Sequence, residues 1–153
     1  MNQEKIDYTP LLGEGIHPYT LEELKALTVD RFPESVRRPG LFGALRVYLE
    51  MLESTGFSGF AWLDGSFMCE KPEPDDIDIL LVFDSETIDS ISESAKPVLN
   101  GLFDTRTVKS RFKLHVFPVR LEDREGLDFW TQKFGTQRDE RTPKGLAAVR
   151  VNL

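Results

Sequence analysis

The chain has 153 residues, 40% of them hydrophobic and 29% charged, with a formal net charge of −7, a balance typical of one soluble domain with a real core. No stretch approaches the roughly 20 apolar residues of a membrane helix, so no membrane partner is expected, and the acidic surplus excludes general binding of duplex nucleic acid. The single cysteine, Cys69, excludes an intramolecular disulfide and offers no zinc spacing. The opening MNQEKIDYTP lacks the basic and apolar regions of a signal peptide, and a cytoplasmic protein is expected.

Residues 1–19 lack periodicity and read as an extended N-terminal arm. Thr20 and Glu23 have capping-box spacing, which predicts a short helix from Leu21. A second helix is expected after Ser35, with Pro39 tolerated in its first turn. Its apolar residues Phe42, Leu45, Leu49 and Leu52 recur at helical spacing, and Gly56 is a plausible stop. Gly59 to Leu63 reads as the first core strand. Pro72 and Pro74 make residues 67–75 a loop. Ile77 to Phe83 is apolar at both parities and reads as a central strand. Ser85 to Phe103 reads as one helix disturbed by Pro97 and Gly101. Phe112 to Val119 reads as a strand and residues 122–134 as a short helix with Phe129, Trp130 and Phe134. The segment 135–143 is a polar loop, and Leu146 to Leu153 is a closing strand. Strands alternate with helices without repeats or a linker. The expected class is α/β or α+β, a small mixed β-sheet with flanking helices in one minimal domain over 1–153.

The stretch WLDGSFMCEKPEPDDIDILLVF, residues 62–83, carries the chemistry. Side chains alternate along a strand, so Asp76 and Asp78 share a face where the apolar run begins. Carboxylates that close repel, and the usual outcomes are a raised pKa or a bound cation. Mg²⁺ accepts one or two carboxylates together with substrate phosphates. Gly65 leaves room for close approach to a ligand, and Ser66 adds a hydroxyl beside backbone N–H groups, a small anion cradle. Together these describe a site for a nucleoside triphosphate with Mg²⁺ or Mn²⁺.

Gly65-Ser66, nine residues, then Asp76-Ile77-Asp78 in an apolar strand resembles the signature of the DNA polymerase β-like nucleotidyltransferase superfamily. The segments GIHPYTLEEL, HVFPV and PKGLAAVRV extend the likeness to a family of short, uncharacterised bacterial proteins with that fold. The resemblance implies a nucleotidyltransferase fold, a triphosphate (ATP is the first candidate) held by Gly65 and Ser66, and catalytic metal held by Asp76 and Asp78. It also implies a third carboxylate on a later strand. The strand from Phe112 to Val119 has none, and His115 stands where one is expected. A neutral imidazole can accept a proton near pH 7 but is a poor Mg²⁺ ligand. Arg111 and Lys113 share the parity of His115, which predicts a basic face suited to phosphate.

Each feature also has a plainer reading. The two aspartates could be solvated at a loop–strand junction, His115 a strand histidine with a satisfied hydrogen bond, and Arg111 and Lys113 a solvated face. Asp64 and Asp75 read as turn and loop formers, Trp130 and Phe134 as core. Two functions follow. One is transfer of a nucleoside monophosphate to an unknown hydroxyl, with Asp76, Asp78 and His115 as the catalytic set. The other is a catalytically weakened nucleotide-binding or partner-binding module, with a protein partner as in the antitoxins and phage-defence components among related minimal nucleotidyltransferases.

Overall fold

Thr20 and Glu23 cap each other's backbone N–H groups, and helix α1 (Leu21–Lys25) starts there as their spacing predicts. The computed structural model describes residues 8–137 and 142–153. A π-helical turn over Ala26–Asp30 continues α1. Helix α2 (Arg37–Ser54) then buries Leu41, Phe42, Leu45, Leu49 and Leu52, the apolar stripe of the sequence. It ends before Gly56, whose φ of 89° is a left-handed conformation that side chains disfavour.

Among the described residues, five strands form one mixed sheet: β1 (Gly15–Pro18), β2 (Gly59–Asp64), β3 (Ile77–Phe83), β4 (Leu114–Arg120) and β5 (Gly145–Val151). Their order is β1-β5-β2-β3-β4. The outer pairs, β1 with β5 and β3 with β4, are parallel, and β2 runs antiparallel to both its neighbours. Ile77, Ile79, Leu81 and Phe83 of β3 face a core built with α2. The same core takes Leu99 and Leu102 of helix α4 (Lys96–Phe103) and Val108 and Phe112 of helix α5 (Thr105–Phe112). Leu80 and Val82 face the opposite way, against Leu127, Trp130 and Phe134 of helix α6 (Arg124–Phe134). Helices on both faces account for a strand without apolar/polar alternation.

Three expectations change. The helix predicted over Ser85 to Phe103 is two helices, α3 (Ser85–Asp89) and α4. Pro97 lies in the first turn of α4, where its missing N–H has no intrahelical partner to lose. The strand predicted from Phe112 starts at Leu114, because the preceding residues form α5. Asp104 caps α5 by accepting the N–H of Thr107 at 2.9 Å, and Lys113 ends it in a left-handed conformation at φ 57°. The N-terminal arm is extended at Gly15–Pro18, but there it is a sheet strand paired with β5. Residues 1–7 of the arm and 138–141 of the predicted polar loop lie outside the described residues.

The loop between β2 and β3 is held by the start of α2. Arg38 is fully buried. Its guanidinium donates to the carbonyls of Thr28 (2.9 Å), Phe67 (2.8 Å), Cys69 (2.7 Å) and Lys71 (2.6 Å). It also lies 3.7 Å from the centroid of the Phe32 ring. Burial pulls its pKa down to about 10, which leaves it charged at neutral pH. Glu73, farther along the loop, accepts from the backbone N–H of Val36 (2.9 Å) and Arg37 (3.3 Å) and from the Ser35 hydroxyl. It supplies the α2 N-terminus with the acceptor that Val36, in the cap position, lacks. Arg37 is ion-paired with Asp75.

Replacing Arg38 by Met removes the donor to four buried carbonyls. The expected loss is about 3–5 kcal/mol, the range for breaking a buried charge-assisted network. Urea denaturation measures it. Hydrogen exchange should show Met68 and Cys69 losing protection before the sheet does.

Candidate functional site

β2 and β3 pair so that Asp64 stands opposite Asp78, and β3 and β4 pair so that Asp78 stands beside His115. Directly paired residues share a face. Asp64, Asp78 and His115 therefore form a row across three adjacent strands, on the α6 side of the sheet. α6 covers that face at Leu80, Val82 and Val119, while the side chains of Asp78 and His115 stay about one-third exposed, at 32% and 31%. His115 Nδ1 is 3.5 Å from Asp78 Oδ1. Its ring lies 4.3 Å from that of Phe117, which stacks on Trp130 at 4.5 Å.

Gly65 follows β2 with φ 84°, ψ −167°. A Cβ built there would lie 2.5 Å from Asp78 Oδ2. Glycine is thus required twice, for the dihedral and for the carboxylate against its Cα. Ser66 opens a single 3₁₀ turn, Ser66–Met68, whose Phe67 and Met68 are buried. The Gly65-Ser66 turn and the Asp78 carboxylate, separate in sequence, are in contact in the fold. Asp76, just before β3, is close enough for its charge to act on Asp78.

The electrostatics are dominated by burial. The Asp78 carboxyl is pushed up first by burial and then by Asp76, against the opposing pull of His115, Lys144 and Lys109. Asp64, only 6% exposed, is raised to about 6 by burial, although Lys144 Nζ lies 2.7 Å from its Oδ1 and lowers it. Lys144 immediately precedes β5. It is placed by its own N–H bonded to Gly135 O and by the next N–H, of Gly145, bonded to Leu12 O.

Asp64 in the row and Lys144 beside it were not expected at the site. Asp64 is a buried strand residue rather than a turn former. Lys144 brings a cation to the site from the far end of the chain, and its only local signal is its place before an apolar strand. Arg111 and Lys113 do not lie on the strand face of His115, where a basic face was expected. Arg111 lies in the last turn of α5 and Lys113 caps it, so strand parity does not apply to either. Both line a cleft with Asp75 and Asp76. Asp75 pairs with Arg37, Phe134 is core, and Trp130 packs on Phe117 while the neighbouring Phe129 is exposed.

The donor set fits Mg²⁺ in part. Among the described residues, no group of three His, Cys, Asp or Glu side chains is arranged to hold a metal unaided. Asp76 and Asp78 are the two carboxylates that would hold Mg²⁺ with phosphates completing its shell. The raised Asp78 marks a charge that a cation would offset. His115 adds a nitrogen rather than a third oxygen.

Residues 5–150 match the model of a family described as a family of unknown function (DUF6932), and the chain belongs to that family. No curated protein and no solved structure matches the chain.

Two measurements follow from this geometry. Gly65→Ala should cost about 2 kcal/mol through the left-handed dihedral and the displaced Asp78 carboxylate, read by thermal melting and by NMR shifts at residue 78. Asp64 keeps its proton to about pH 6 in the fold and to 3.8, its ordinary value, when unfolded. Between these values the folded chain binds more protons, so stability falls as pH rises through that window. Asp64→Asn should flatten this slope in urea titrations run from pH 4 to pH 7, and an unchanged slope would contradict the assignment.

Proposed function

We propose that this DUF6932 chain binds a nucleoside triphosphate, ATP first among them, with Mg²⁺ or Mn²⁺ at the sheet end formed by Gly65, Ser66, Asp76 and Asp78. We infer that it transfers the nucleoside monophosphate to a hydroxyl acceptor within a nucleotidyltransferase fold, working in the cytoplasm. The observation that supports this reading is the close approach of Gly65 to the Asp78 carboxylate, which sets the turn assigned here to the phosphates beside a carboxylate assigned here to the metal. Lys144 strengthens it, because a largely buried ammonium, paired with Asp64 in the same row as Asp78, offers charge to a phosphate oxygen.

In transfer, the acceptor oxygen forms a bond to the α-phosphorus as the bond to pyrophosphate breaks. Bound Mg²⁺ would neutralise charge on the triphosphate oxygens. The backbone N–H groups and hydroxyl at Ser66 orient the phosphates. Asp76 and Asp78 hold the cation, and His115 takes the proton leaving the acceptor. Proximity and orientation carry most of the chemistry, as in other phosphoryl transfers.

A second reading, a nucleotide-binding or partner-binding module with weakened catalysis, is favoured by His115 itself. It occupies the strand position beside Asp78 where a third oxygen ligand would complete the metal site.

Calorimetry with ATP should show affinity that rises at least tenfold on adding Mg²⁺ and is lost in Asp76→Ala with Asp78→Ala. Equal affinity with and without metal would refute the metal role. With labelled ATP and candidate acceptors, His115→Ala should lower turnover about 100-fold with little change in nucleotide affinity, the usual scale for losing a general base. Native turnover that His115→Ala leaves intact would assign the proton elsewhere. Nucleotide binding without any turnover would select the weakened module.

A further inference from the structure

α5 ends beside the start of α2, and a cleft of about 680 Å³ lies there, a volume that accommodates a small organic molecule. Leu41 and Phe112 give it apolar lining, and Lys109, Arg111, Lys113 and Asp76 give it polar lining. The chain carries a net charge of −7, yet this concavity gathers cations. Arg37 also lines it but is engaged by Asp75. Among the described residues, no carboxylate lies within ion-pair distance of Lys109, Arg111 or Lys113.

Helix electrostatics accounts for part of this. Lys109 and Arg111 sit in the last turn of α5, where cations are favoured. Lys113 is different. It occupies the left-handed cap at φ 57°, a position that glycine or asparagine fills more cheaply. A lysine is kept in the cleft lining at a conformational cost to the fold.

The geometry points to a binding site in this cleft for a small phosphorylated alcohol, its phosphate held by Lys109, Arg111 and Lys113 and its carbon skeleton against Leu41 and Phe112. Asp76 lines the cleft and stands two residues before Asp78, so the cleft opens at the same end of β3 as the row, on the α2 side of the sheet. The ligand's role as the acceptor, presenting a hydroxyl to the α-phosphorus, rests on the nucleotide reading. The phosphate site does not.

The test is an NMR titration of the native chain with glycerol 3-phosphate and, separately, inorganic phosphate, without metal or nucleotide. Saturable shifts are expected at the amides of 37, 38, 40–44 and 109–113, with inorganic phosphate at least fivefold weaker. Lys113→Gly and Arg111→Gln should each weaken glycerol 3-phosphate at least tenfold. Lys113→Gly should melt at the same or a higher temperature, since glycine relieves the left-handed cap. A purely structural lysine would leave binding unmoved. Non-saturating shifts, or native affinity in Lys113→Gly, would overturn the site. Equal affinity for the two probes would overturn the alcohol and leave a free-phosphate site. Glycerol 3-phosphate that saturates the cleft while Mg²⁺–ATP fails to bind would refute the nucleotide reading and leave this site standing. Competition between ATP and glycerol 3-phosphate for the same amides would overturn a separate cleft.

Discussion

A single buried guanidinium organises the loop on which the candidate site is built. Among the described residues, Arg38 has no carboxylate partner at bonding distance. Its charge is met by backbone carbonyls of residues 28, 67, 69 and 71 and by the face of Phe32. Burying an ion in this way is costly unless its donors are nearly all used, and here only Nε lacks a partner. The loop from Gly65 to Lys71 has one 3₁₀ turn and backbone bonds to Thr9 and Leu11, and Arg38 of α2 ties the rest of it down. Glu73 and Asp75 continue the attachment at Ser35, Val36 and Arg37. The irregular segment between two antiparallel strands is thereby fixed at several points to one helix end, and Gly65 is pressed onto Asp78 as a result.

The sheet end that this loop completes is electrostatically divided. Burial raises both Asp64 and Asp78, while Lys144 and His115 oppose it. An acid held near neutrality beside a cation changes its charge readily when a ligand arrives. That is a common property of sites that bind phosphates or metals, and ion-pair networks with no such role share it. Register contributes most to the arrangement. The antiparallel pairing of β2 with β3 and the parallel pairing of β3 with β4 place three titratable side chains in line. A slip of one residue in either pairing would turn one of them to the opposite face.

Much of this was legible in the sequence, for identifiable reasons. α2 and β3 carry strong periodicity signals, a 3.6-residue stripe and a run apolar at both parities, and both appear within a residue or two of expectation. The Gly65-Ser66 and Asp76/Asp78 elements were visible as motifs, and their meeting depends only on adjacent strands. α5 is not legible because its cap, Asp104, directly follows the end of α4 and its residues 105–111 are mostly polar, so the stretch between the expected helix and the expected strand carries no element. The missing helix also misplaced Arg111 and Lys113. Arg38 sits in a charged, proline-containing stretch that resembles any solvated helix start, and nothing local marks it as buried. Lys144 and Asp64 are 80 residues apart (144 − 64), and only the insertion of β5 beside β2 brings them together.

That insertion also constrains the route by which the chain reaches its fold. β5 lies between β1 and β2, so among the described residues β1 has no strand neighbour until residues 145–151 are in place. During synthesis β2, β3 and β4 can pair in succession as they leave the ribosome. β1 must wait for residues 145–151 to emerge. Contacts of such sequence separation close slowly, and the open edge of β2 is exposed meanwhile to pairing with other chains. Docking of β5 satisfies two strands at once, the edge of β2 and the whole of β1, so one late element closes both sides of a gap in the sheet.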